Sequence, residues 1–359
     1  MNRKRFFFIA VCIALVYSCG KKDDTGGTTT PTGTDDFKKA MLANYADNLI
    51  IPGYTDLDAK LVTLEVAVNA FLTAPSTTTL DAVRAPFRTA WLSYENVSVD
   101  YFGPAAALLL NNYVNTFPCV PAKIEAGITS GSYNFSQPVA SDSIQGLPTL
   151  EYLLFSPNAL ANYSAPQAAA RKKYVQDVMS RMRTLVANTL SQWKTSYRAT
   201  FVGSLKTDVG SSIGFLINQF AFEMDALKGP RIGWPFGKQS NGIVFADKCE
   251  GYYSGFSAAL AMANLTSLKN YFSGGSGDGI ADYLVLLKRE QLSKDVLAQF
   301  DVALTALKAI PDPMAAAFTN NAPLIEEAYR QVQKLLTMIK TDVSSATGVQ
   351  ITYMDNDGD

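Results

Sequence analysis

FKKAMLANYADNLIIPGYTDLDAKLVTLEVAVNAFL, residues 37–72, carries apolar side chains at Met41, Leu42, Tyr45 and Leu49, then at Leu57, Leu61, Leu64, Val68 and Phe71. Steps of three and four place them on one face of a helix, where strict alternation would signal a strand. Pro52 and Gly53 predict a kink or break between the two runs. The same period continues over 79–100, with Asp81 near its start, and over 104–113, 147–156, 165–197 and 208–228. It returns over 248–272, 279–309 and 321–345, the last with Leu324, Ala328, Val332, Leu335, Leu336 and Ile339 on one stripe. Residues 116–145 are rich in Pro, Gly and Ser and read as a long irregular crossover. Only ITYM, 351–354, has strand character. These patterns predict an all-α fold.

Size sets the organisation. Roughly 320 residues follow the N-terminal segments, more than the ~250–300 that one core sustains, so two packed helical bundles are expected. We place them at 37–200 and at 201–359, the second ending in an acidic tail at Asp355, Asp357 and Asp359. The glycine run GGSGDG, 274–279, has no Lys-Ser/Thr for a phosphate loop and reads as a connector.

Residues 1–18 have the build of a secretion signal, with Arg3, Lys4 and Arg5 ahead of an apolar run from Phe6 to Val16. Without those three charges, 28 basic residues of 31 remain against 32 acidic ones. A weakly acidic chain excludes nucleic acid as an expected partner. Val16, Tyr17, Ser18 and Cys19 resemble the lipobox of bacterial lipoproteins, which implies lipidation at Cys19 and anchoring in membrane lipid. Gly20 after the cysteine implies sorting to the outer membrane, and Lys21 to Asp24 is similar to the surface-export signal of Bacteroidetes lipoproteins; an ordinary charged tether is the alternative. Residues 19–36, rich in Gly, Thr and Pro from 25 onward, are expected to be a flexible leash. Of the four cysteines, Cys12 leaves with the signal, so Cys119 and Cys249 remain as either a disulfide between the halves or two buried small hydrophobes.

GLPTLEYLLF, residues 146–155, resembles the signature of the imelysin-like family, Gly-x-His-x-x-Glu before an apolar stretch. Pro148 stands at the histidine position, Glu151 is kept, and the whole chain contains no histidine. Further segments match in order: NYADNLIIPGY (44–54), Trp91, Tyr94 and Glu95 leading to Phe102, Gly103 and Pro104, and Asn218 with Glu223. KGPRIGWPFG (228–237), EGYYSGFS (250–257) with Asn264 and Leu265, and the closing ITYMDNDGD follow. The resemblance implies two related helical bundles with a ligand site near the signature. It places Glu151 facing a cleft between helices, opposite Glu95 and Glu250. It also implies one of several activities, since the family includes proteins associated with iron uptake, a founding member called a peptidase, and a polysaccharide binder.

Three carboxylates without a nitrogen ligand suit a hard divalent cation better than zinc or copper. Pro148 and Glu151 also admit a plainer reading, as residues of a helix start that tolerates proline and favours carboxylate. Arg231 offers a guanidinium to an anionic or sugar ligand, or closes a helix-to-loop junction. Trp91 and Trp234 are candidate stacking faces for a glycan. Ser254 and Ser257 lack the histidine a common serine nucleophile needs and read as small packing residues. The expected function is an outer-membrane-anchored, non-catalytic ligand binder in iron or haem acquisition, with an outer-membrane receptor as partner. An imelysin-type peptidase and a surface glycan-binding protein are the alternatives.

Overall fold

The computed structural model describes residues 32–353, in which helices and their connections account for every element and no strand occurs. The signal, Cys19 and the acidic tail from 355 lie outside the described residues. Helix α1 (32–73) begins inside the expected leash. Asp35 in its first turn suits the positive end of the helix dipole and pairs with Lys38 at 3.4 Å, while Phe37 stacks on Tyr283. No break follows at Pro52. The helix widens into a π segment at Tyr45–Ile50 and continues, so the proline falls just past a turn where the regular bonding ladder is already relaxed.

Helix α2 (Thr77–Glu95) opens on a capping box formed by Ser76 and Thr79. Short helices at Pro104–Ala107 and Leu110–Asn115 follow. The expected irregular crossover contains α3 (Pro121–Ser130), with proline in its first turn and Gly131 closing it at φ 65°, so that part of the segment's Pro and Gly content marks a helix start and stop instead of irregular chain. Then come α4 (Gly146–Phe155) and α5 (168–203), the latter with a π segment at Trp193–Tyr197. Helices α1, α2 and α5 pack together as the first bundle.

The second bundle comprises α6 (212–236), α7 (Ser257–Ser273), α8 (Ile280–Leu286), α9 (Glu290–Lys308), α10 (Met314–Asn320) and α11 (322–347). The single helix expected over 279–309 is two, separated where Lys288 turns to φ 61°. The α11 stripe is buried from Ile325 through Ala328, Val332, Leu335, Leu336 and Ile339. Ile351–Tyr353 forms no strand; Thr352 donates from its backbone N–H to Asn218 at 2.7 Å, and the Tyr353 hydroxyl donates to the Ala221 carbonyl at 3.1 Å. Side-chain bonds meet that segment instead of a partner strand.

The halves are joined by polar groups as well as by packing of α2 on α7. Buried Tyr271 donates to Asp100 at 2.6 Å, Tyr45 donates to the Tyr271 carbonyl at 2.5 Å, and Asn44 donates to the Gly274 carbonyl at 2.8 Å. Burial holds the Asp100 acid well above the usual carboxylate range.

Candidate functional site

Arg231 lies at the centre of a buried acidic cluster. Its Nη1 donates to Glu95 at 2.6 Å and to Glu250 at 2.8 Å, and its Nη2 lies 3.9 Å from Glu223. All four side chains are at most 6 % exposed. Glu95 is the last residue of α2, Glu223 projects from α6, and Glu250 sits in the connection before α7. Arg231 reaches them from the π segment Leu227–Gly233, which accommodates Pro230 inside the helix. Gly233 is required there, because a Cβ would come within 2.7 Å of Tyr329 and 2.8 Å of the Lys228 carbonyl.

Amides complete the network. Asn264 of α7 donates to Glu95 at 3.2 Å, to Glu223 at 3.0 Å and to Ser98 at 3.1 Å, while Asn115 donates to Glu250 at 2.6 Å. Ser98 donates to Glu223 at 3.1 Å. Burial pushes the Glu95 acid well above its ordinary range, and the charges of Glu250 and Glu223 add to that against the pull of Arg231. The carboxylates in turn raise Arg231, which stays charged.

Glu151 belongs to the adjoining space. Gly146, at φ 82°, lets the start of α4 approach the chain at Val114 so closely that a Cβ would meet its carbonyl oxygen at 2.4 Å. From that start Pro148 falls in the first turn and Glu151 one turn on. Both line a cavity of about 70 Å³ with Cys119, Cys249, Tyr252 and Tyr253 among its walls. Glu151 accepts the Ser254 backbone N–H at 2.8 Å and its hydroxyl. Both cysteines are free thiols. The disulfide considered from sequence is therefore not formed, and burial, with the charge of Glu151, pushes each thiol up to about 12, where it is protonated and unreactive.

Burial raises the Glu151 acid from 4.5 to about 7, with Glu250 adding to the rise and the two Ser254 bonds opposing it. The folded protein then holds this proton more tightly than the unfolded chain. Stability contributed by protonated Glu151 is present below about pH 4.5 and lost as pH rises toward 7. Over that window the loss amounts to roughly 3 kcal/mol. Glu151→Gln is expected to flatten this part of the profile, as read by urea unfolding from pH 4.5 to 8; an unchanged slope would refute the assignment.

The structure thus brings Glu95 and Glu250 together on Arg231 and sets Glu151 beside them through the 250–254 segment. Glu223, Ser98 and Asn115 are parts of the network that sequence reading did not pick out as site residues. Glu223 lay in a matched segment, and its spacing of eight from Arg231 was the available signal. Trp91 is fully buried, edge-on to Phe87 and Phe256, and Trp234 is partly buried. Among the described residues no three His, Cys, Asp or Glu side chains form a metal-holding group. The donor set does not fit the divalent cation considered from sequence: the Arg231 guanidinium fills the space among the carboxylates that a cation would take.

Comparisons agree with this architecture. The family model Peptidase_M75, described as Imelysin, matches residues 50–340. The chain is 23% identical to Iron-regulated protein A of Synechococcus elongatus over 76% of each chain. Among solved structures, an iron-regulated protein A precursor from Parabacteroides distasonis superposes with a TM-score of 0.74 at 21% identity, covering 89% of this chain and 97% of the other. An imelysin-like protein from Psychrobacter arcticum gives 0.72 at 18%, covering 89% and 98%.

Proposed function

The chain belongs to the imelysin family, and on that premise we propose that it is a non-catalytic ligand-binding lipoprotein of the outer membrane, acting in iron or haem acquisition. The observation that carries this reading is the cavity beside Glu151, kept at the family's signature position while the histidine of that signature is replaced by Pro148. A binding space without a nitrogen ligand supports recognition over metal-assisted hydrolysis. Serine chemistry has no better support, because the Ser254 hydroxyl is committed to Glu151 and no histidine exists to activate it. The iron assignment draws on the relative named Iron-regulated protein A. Cys19 supplies the lipid anchor, and an outer-membrane receptor is the partner to which bound cargo passes.

Growth under iron limitation tests this reading. A strain lacking the gene is expected to grow more slowly with iron or haem as a scarce supply, and wild-type protein to restore growth. Glu151→Gln and Cys19→Ala are each expected to fail at restoration, the latter with the protein released from the membrane fraction. Equal growth of the deleted strain at every iron level would remove the iron reading, and Cys19→Ala protein still in membranes would remove the anchor.

A further inference from the structure

Ser254, which bonds to Glu151, also lines a second pocket of about 180 Å³, together with Arg84, Phe87, Arg88, Phe155 and Phe256. Its chemistry differs from that of the acidic cluster. Arg84 and Arg88 are one turn apart on α2, and each lays its guanidinium over a ring face, Arg84 on Phe155 and Arg88 on Phe256, both at 4.9 Å. Phe87 meets both rings edge-on at 5.0 Å and 6.3 Å, which fixes the two aromatic walls. A guanidinium stacked on a ring keeps its N–H groups in the plane and directed outward, the geometry that grips a carboxylate through two bonds.

These donors are underused. Arg84 gives its Nε to Asp81 at 3.0 Å, on an exposed surface, and pairs with no other carboxylate among the described residues. Arg88 has no ion pair within 4.0 Å among the described residues. Asp312, which feels the charge of Arg88, already accepts the backbone N–H groups of Ala258 and Ala259 at 2.7 Å and 3.2 Å. We infer that this pocket is a second binding site, for a small aromatic carboxylate held by Arg84 and Arg88 with its ring between Phe155 and Phe256. The site is separate from the Glu151 cavity and does not rest on the proposed function.

Benzoate is the probe, added to the purified protein, with benzyl alcohol as its uncharged counterpart. Trp91, edge-on to Phe256 at 5.7 Å, reports occupancy through its fluorescence. Saturable benzoate binding is expected, with benzyl alcohol and the double variant Arg84→Gln, Arg88→Gln each weaker by about tenfold to a hundredfold. Both arginines are exposed, so the variant is expected to fold, and an unchanged melting curve verifies it. The double Arg→Lys variant, which keeps charge and loses the planar fork, should fall between. No saturation by about 10 mM benzoate, benzyl alcohol binding as well as benzoate, or affinity unchanged in the double glutamine variant would each overturn the site.

Discussion

Arg231→Met is expected to cost the folded protein about 3–5 kcal/mol, because it leaves Glu95, Glu223 and Glu250 buried together with no cation among them. That is a large fraction of the ~5–15 kcal/mol by which a domain is stable. Urea unfolding at pH 8 measures it. Arg231→Lys should recover only part, since one ammonium can replace Nη1 between Glu95 and Glu250 but supplies no second nitrogen to lie beside Glu223 as Nη2 does. Adding Glu95→Gln to Arg231→Met should return stability by removing one unpaired charge, which makes the pair non-additive. A loss below about 1 kcal/mol for Arg231→Met would show that the cluster is neutralised by protons instead of by the guanidinium.

Pro148→His should turn the Glu151 cavity into a metal site. A histidine at 148 and a glutamate at 151 are three apart on one helix face, so nitrogen and oxygen donors would meet zinc in one space, and the thiols of Cys119 and Cys249 on the same cavity could join only by giving up their protons on binding the metal. Wild-type protein is expected to bind zinc no more tightly than about 1 mM, and the variant at about 10 µM or below, a gain of at least ~100-fold. Calorimetry decides. The helix tolerates the change because the third helical N–H has no intrahelical acceptor in any case. If the variant folds and gains no affinity, the proline is not what separates this chain from the signature chemistry, and the geometry of Glu151 is.

Helical periodicity was sufficient to read α1, α2, α5 and α11, because their buried stripes recur over many turns. It failed at α3, where ten residues between Val120 and Gly131 hold too few apolar positions to show a period, and at Lys288, where a single left-handed residue splits a run that looks continuous. Pro52 misled for the opposite reason: a π segment absorbs what would otherwise be a break. For the site, the spacing of a signature pointed to Glu151, and the separate matched segments 250–257 and 228–237 supplied Glu250 and Arg231. Which carboxylates share the arginine was not legible. That depends on α2 ending at Glu95 and on α6 delivering Glu223, a convergence of segments more than a hundred residues apart.

The π segment at Leu227–Gly233 also bears on how this chain should be laid beside its relatives. One residue added within a continuous helix offsets everything after it by about 100° of rotation. In an alignment such an offset is written as a gap of one, and the gap can slide several columns with little penalty. Arg231 sits inside that uncertain stretch. A relative with one residue fewer there would aim a different side chain at the carboxylates even if an arginine shared its column. Rotational phase, counted from Phe220 on one side and Trp234 on the other, is therefore the sound coordinate for deciding which chains keep the buried cation.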